Sequence, residues 1–356
     1  MHRSSGDASI RKVALLAGLA LALSGCDQAA ELSWSWAGEG PSRSGLTEVD
    51  GGVIFGNEAG ALVRLDETGR VRWRVQVGRE IAARPAVVGD VVVAATTSGE
   101  WLGVSLQTGA EKWRLGGKPA LTVPLASDDQ RAYAVADDGS VFAISGSSGG
   151  TAWRLLPPRG VGDAAGLCAP VAKNGRLHVA LGKAGLFALN PADGETLWRR
   201  SVGEVVGFLV EGARLYAATR EGRVLALDAG TGAVEWERTL DEKPQAGPWL
   251  ARGLLWIAFD ERGLMSLDPQ DGAETWRVQL PAPARGGVAA WREIVLVPTD
   301  GREGRLWGLR PGQAEPVVNL RADSALRTAP RVFGDTVLTL ASDGRVLAWK
   351  IKRASR

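Results

Sequence analysis

Along most of its length the chain alternates between apolar and small or polar residues. Between residues 84 and 115 the runs RPAVVGD, VVVAATT, EWLGVSL and EKWRL place Val, Leu and Trp against Gly, Ala, Ser and Thr, with Gly, Asp and Thr between the runs. A period of two belongs to strands with one buried face, and breaks of this composition belong to turns. Gly89-Asp90, Asn174-Gly175 and Gly334-Asp335 fall where tight turns are needed, because Gly and Asn take a positive φ at little cost. The apolar spacing of three and four that a helical solenoid requires is missing.

The pattern also recurs. A segment of the form G-x-L-x-A-L-D-x-x-T-G-x-x-x-W returns about every 40 residues, as in GALVRLDETGRVRW (60–73), GEWLGVSLQTGAEKW (99–113) and GRVLALDAGTGAVEW (222–236). Its leading glycines stand at 60, 99, 139, 185, 222, 263, 304 and 344, the last two in degenerate copies. Four short strands per unit at this period predict an all-β fold, an eight-bladed β-propeller of four-stranded blades over 31–352. The eighth unit ends near Ile351, before a fourth strand, whereas ELSWSWAG (31–38) precedes the first full unit. The N-terminal strand is therefore expected to complete the last blade and close the ring, leaving only short protected edges. Trp73, Trp113, Trp153, Trp198, Trp236 and Trp276 close the six clear copies, and Trp36 is expected to join them as a structural residue. Rings in one register bury apolar area between flat sheets, so packing between blades is the expected role, ahead of an aromatic ligand site.

The first 25 residues stand apart from this pattern. Arg3, Arg11 and Lys12 precede the apolar run VALLAGLALAL (13–23), which is too short to remain as a membrane span. It has the form of a bacterial secretion signal, residues 1–25, followed by a linker, residues 26–30. The ending Leu23-Ser24-Gly25-Cys26 resembles a lipobox, which implies lipidation at Cys26 and attachment to a membrane through acyl chains. The full chain carries 42 Lys and Arg against 40 Asp and Glu; without residues 1–25 both totals are 39. The remaining chain is then formally neutral and lacks the clustered basic face that nucleic acid requires. The tail, residues 353–356, extends a small basic cluster that begins at Lys350 and reads as a solvated end.

Candidate chemistry is sparse. After Cys26 the sole cysteine is Cys168 and the sole histidine is His178, in RLHVAL (176–181). One thiol cannot form an internal disulfide, and one His with one Cys cannot assemble a zinc site. No nucleophile elbow, phosphate loop or dinucleotide fingerprint is present. Asp66, Asp228 and Asp268 share one repeat position and are expected to cap turns by accepting backbone N–H bonds. Asp128-Asp129 and Asp137-Asp138 are loop candidates for a cation, without an EF-hand pattern. No catalytic, cofactor-binding or metal-binding residue is assigned, and the chain is expected not to be an enzyme.

The core ALDAGTGAVEW (226–236) resembles the pyrroloquinoline-quinone-type propeller repeat, over nearly all of 31–352. Two groups with that repeat compete. Quinoprotein alcohol dehydrogenases are much longer and hold their quinone beside a vicinal disulfide, which this chain lacks. The plan is more similar to the BamB lipoprotein family of outer-membrane protein assembly factors, in length, lipobox, blade count and terminal strand. That likeness implies a non-enzymatic periplasmic scaffold, without cofactor, whose partners include the outer-membrane β-barrel assembly machinery. A membrane-anchored ligand-binding or sensing propeller is the alternative, and a divergent quinoprotein dehydrogenase the next. In the family, the loop before the fourth blade carries a Leu/Arg stretch that grips the barrel-forming partner. LLPPRGVGDAAGLCAP (155–170) stands there in this chain, with Ala164, Ala165 and Gly166 at the matching centre. Pro157, Pro158 and Arg159 are the candidate partner residues. The family's acidic loop between the fourth and fifth blades has no counterpart in SVGEVVGFLV (201–210). The outer membrane is the favoured location, and Asp27 directly after the lipidated position makes the inner membrane the alternative.

Overall fold

A computed structural model describes residues 30–157, 168–259, 262–313 and 315–351. Eight antiparallel sheets of four strands follow one another around a ring. The first blade is Thr47–Val49 (β2), Gly52–Gly56 (β3), Ala61–Asp66 (β4) and Val71–Gln76 (β5), preceded in sequence by Ala30–Trp36 (β1). Residue type decides depth in the blade. GVIFG in β3 is buried throughout, because both faces of a middle strand meet neighbouring blades. VRWRVQ in β5 alternates, with Trp73 buried and its Arg neighbours exposed, as suits an outer strand with one solvated face.

The expected closure is present. β1 pairs antiparallel with Val346–Ile351 as the outermost strand of the last blade. It begins at Ala30, one residue earlier than the sequence pattern suggests, and ends at Trp36. The seam is also bonded near the axis, where Arg331 Nε donates to the Leu46 carbonyl at 2.9 Å, and at the turn between the second and third strands of the last blade, where Ser42 N donates to the Ser342 carbonyl at 3.1 Å.

The core is divided among the seams. Val49, Ile54, Leu62 and Trp73 of the first blade pack on Val92, Ala94, Leu102 and Val104 of the second. A cluster of this kind lies at each of the eight junctions. Stability is thus spread over eight face-to-face sheet contacts, each meshing apolar side chains from two blades.

The repeated Trp has a second role besides filling these contacts. In the first six blades a register shift precedes it, as between Arg64 and Leu65 opposite Trp73, or between Ala226 and Leu227 opposite Trp236. An extra residue in the outer strand re-aims the ring toward the next blade. Five of these six indoles then donate to a backbone carbonyl there: Trp73 to Leu106 at 2.8 Å, Trp113 to Gly146 at 2.7 Å, Trp153 to Pro191 at 2.9 Å, Trp198 to Ala229 and Trp236 to Pro269 at 3.1 Å. The same rings lie on the turn glycines 109, 149, 194, 232 and 272. The consensus T-G and the consensus W are therefore two halves of one contact between successive blades.

The structure differs at two positions. In the last blade Trp34, not Trp36, faces Ala348, donates to Glu67 O at 3.1 Å and covers Gly69. Trp36 faces Val346, the place that Val75 holds opposite Leu62 in the first blade. It is buried, with 8% exposure, and meets Phe55 edge-on at 5.5 Å. Trp36 thus fills the seam, and Trp34 is the staple. Trp276 departs differently. Its ring lies edge-on to Trp256 at 6.0 Å, and Gly312, in the corresponding turn of the seventh blade, has no atom near its missing Cβ. That turn reads R-P-G-Q and has lost the T-G, so the staple has lost its receptor.

A pair of substitutions isolates this contact. Gly232 and Gly175 have φ of 70° and 67°, but a Cβ at Gly232 would meet Trp198 at 2.8 Å whereas one at Gly175 meets nothing. Gly175→Ala is expected to cost about 1–2 kcal/mol from the left-handed backbone alone. Gly232→Ala is expected to cost about 1–3 kcal/mol more, from displacing the ring. Equal losses in urea unfolding would show that the ring adds nothing.

Candidate functional site

One rim of the ring carries both the turns between second and third strands and the connections from each outer strand to the next blade. Val77 N donates to the Gly60 carbonyl at 2.7 Å and Leu240 N to that of Gly222 at 2.8 Å, which ties these two sets together. The segment 155–170 joins the third blade to the fourth on this rim. Thr151–Leu155 leads into it, and Val171–Lys173 leads out. Leu156 has 64% of its surface exposed, the largest value among the exposed apolar side chains. Pro157 closes the described part; Pro158, Arg159 and the centre 164–166 lie outside the described residues, as do Cys26 and Asp27. Around the same rim, Arg43 pairs with Glu80 at 2.5 Å, Arg220 with Glu204 at 2.7 Å and Arg327 with Asp300 at 3.0 Å. Such exposed pairs contribute about 0–1 kcal/mol each and set surface charge more than stability.

The sparse chemical groups are absorbed by the fold. His178 is fully buried, and its Nε2 lies 3.0 Å from the Ala229 carbonyl that also receives Trp198. Nε2 therefore carries the proton of a neutral ring in this contact. Burial pulls its pKa below the ordinary 6.5, and the charge of Arg176 adds to this, outweighing the carbonyls of Ala229 and Val171, which favour the charged ring. Cys168 is packed against the cluster between the fourth and fifth blades, 3.6 Å from the Val205 carbonyl. Burial pushes its thiol up to about 12, which leaves almost no thiolate at neutral pH.

The repeat aspartates do cap turns. Asp66 Oδ1 accepts from Thr68 N, Thr68 Oγ1 and Arg70 N at 2.7 to 3.1 Å. Burial alone would raise its pKa, but these donors and Arg72 hold it below the usual value. Asp228 accepts from Thr231 N and Oγ1, and Asp268 from Gln270 N. Three of the four cation candidates are occupied as well: Asp128 accepts from Gln130 N, Arg131 N and Tyr133 Oη, Asp137 from Thr122, and Asp138 from Ser140 N. Among the described residues no cluster of metal-ligating side chains occurs.

The histidine sets an expected pH dependence. The unfolded chain gains a proton at this ring near 6.5 that the folded chain resists, so this group's contribution to stability falls as pH drops through 6.5. Replacing His178 with Gln is expected to flatten that slope between about pH 7 and 5. Urea midpoints at a series of pH values would measure it, and an unchanged slope would contradict the buried neutral ring.

The axis of the ring holds a cavity of about 480 Å³. Its lining comes from the innermost strands of five blades: Thr47–Val49, Ala86–Val88, Ala126–Ser127, Val171–Lys173 and Arg331–Phe333. Arg84 and Arg331 project into it. Burial lowers the pKa of Arg84 to about 10, with the positive field of Arg331 adding to the effect; burial lowers Arg331 too, against the opposing field of Glu48. The sequence contains no visible sign of this pair. Arg84 precedes one proline, just ahead of the second blade, and Arg331 follows another, at the start of the innermost strand of the last blade, so only closure of the ring brings the two together.

Comparison with known proteins places these features in a family. The sequence pattern of the family described as outer membrane protein assembly factor BamB matches residues 24–154, 58–265 and 260–356. The assembly factor BamB of Yersinia pestis is 28% identical over 241 residues, a span covering 64% of this chain and 61% of that one. The match thus spans less than two thirds of that relative's length. Among solved structures, BamB from Moraxella catarrhalis superposes with a TM-score of 0.77 at 17% identity, over 90% of this chain and all of that one. A quinohemoprotein alcohol dehydrogenase from Pseudomonas putida reaches 0.74 at 14% identity, over 92% of this chain and 77% of that one. Likeness at these identities shows the eight-bladed fold, which serves more than one chemistry.

Proposed function

The chain belongs to the family of outer membrane protein assembly factor BamB, and from that premise we propose that it is a non-enzymatic, periplasm-facing lipoprotein scaffold. It assists insertion of β-barrel proteins into the outer membrane, by holding a subunit of the barrel assembly machinery against one rim. The observation that carries this reading is the family match, which runs from residue 24 to residue 356. The fold supports it physically. A ring stapled blade to blade is a stiff platform, and binding residues concentrate on loops that such a platform holds. The rim from which 155–170 emerges offers the exposed Leu156 beside Pro157 and, in sequence, Pro158 and Arg159. The groups that would perform chemistry are committed elsewhere: His178 to the buried core, Cys168 to packing between blades, the repeat aspartates to turns.

Attachment to the outer membrane is proposed through Cys26. Among the described residues no helix is long and apolar enough to cross a membrane. Cys26→Ala is expected to move the protein from the membrane fraction to soluble or unprocessed forms, and mass spectrometry of the wild type is expected to show acyl chains. A wild-type N-terminus without acyl groups would refute the anchor. For the activity itself, depletion from the native host is expected to lower the amount of folded, heat-modifiable barrel protein in the outer membrane. Unchanged barrel levels would refute the scaffold reading.

A further inference from the structure

The axial cavity gathers positive charge at its wall. Arg84 and Arg331 both line it, each half-buried. Among the described residues, neither guanidinium has a carboxylate within 4.0 Å. The Nε of Arg331 is used, donating to Leu46 O at 2.9 Å, and no other side-chain bond of either residue is present. Glu48, also at the cavity wall, is exposed to solvent and only influences Arg331 through its field.

Like charges held side by side repel one another unless something of opposite sign meets them. The salt bridges of this protein show the contrast, for Arg43, Arg223 and Arg277 on the surface all have carboxylate partners. Two planar guanidinium groups on one wall present fork-shaped donors suited to two oxygens of one ligand. The cavity of about 480 Å³ falls in the size range of small-ligand sites, roughly 300–1,000 Å³, and exceeds what a single inorganic ion fills.

We infer that the axial cavity binds a small multivalent oxyanion, held by Arg84 and Arg331. The phosphate and carboxylate classes share this chemistry. The site opens toward the rim proposed to hold the protein partner, with Pro170 of the 155–170 segment in its wall, but ligand binding by the isolated protein is read without that partner, so the two readings fail separately.

The full-length protein, kept in detergent, is melted with pyrophosphate, with citrate, or with sodium chloride at matched ionic strength. At a probe concentration about 100 times its Kd, the melting temperature is expected to rise by about 5 °C. The chloride control is expected to stay flat, and the better of the two probes identifies the class. Arg84→Gln is expected to abolish the rise while melting at or above the wild-type temperature without ligand, because it removes the repulsion. Isothermal titration of the wild type is expected to give one site per chain, and this readout stands even if the variant does not fold. A wild type that neither oxyanion shifts beyond chloride overturns the inference. So does an Arg84→Gln protein that folds and keeps the full shift.

Discussion

Deleting residues 33–37 is expected to abolish cooperative folding near physiological temperature, or to leave a ring that melts far below the wild type. The segment forms most of β1, the outermost strand of the last blade, and it contains both Trp34 and Trp36. Its loss removes the ladder to Val346–Ile351, the indole bond to Glu67 and the Trp36–Phe55 contact at once. Truncating one buried Trp costs about 3–5 kcal/mol. With a strand ladder added, the loss approaches the total stability of a typical domain, about 5–15 kcal/mol. Trp36→Ala alone is expected to fall in the single-residue range, and Trp34→Ala below it, because Trp34 is only partly buried. Limited proteolysis should cut the deleted protein first around the seam between last and first blades. A deletion protein that melts cooperatively within a few degrees of wild type would show that the ring does not depend on this strand.

The second large effect is expected at the rim. Replacing residues 157–165 with a Gly-Ser linker of equal length is expected to reduce recovery of the membrane partner about tenfold or more, as loss of a central contact residue does. Arg159→Glu is expected to act in the same direction. Both changes lie between strands that end at Leu155 and begin again at Val171, so the melting temperature is expected to stay close to wild type. Partner recovery at wild-type yield would move the contact off this loop, while leaving the rest of the ring open to it.

Much of this molecule is legible from periodicity. Eight glycine-led repeats, alternating strands and a final Trp define eight blades, and the missing last strand points to the N-terminus. The aspartates at the repeat position read correctly as turn caps, because a side chain that recurs with a turn usually serves the turn. The two tryptophans of β1 were harder to separate. They are two residues apart, so they share a face of the strand, and only pairing with residues more than 300 positions away decides which is the staple. Spacing held a weak signal: Trp34 lies 39 residues before Trp73, close to the 40 between Trp73 and Trp113. The axial arginines left no such trace. Arg84 and Arg331 become neighbours only through closure of the ring, and no local pattern encodes a contact of that range.

The central claim is that this ring is a scaffold for the machinery that inserts β-barrels. Its most direct test is affinity recovery of the native, full-length protein from detergent-solubilised host membranes, followed by identification of whatever is retained in stoichiometric amount. A β-barrel-forming subunit of the assembly machinery is expected in that fraction, and its yield is expected to fall when 157–165 is replaced. Recovery of the protein alone, or of a stable partner set with no outer-membrane barrel component, would contradict the scaffold.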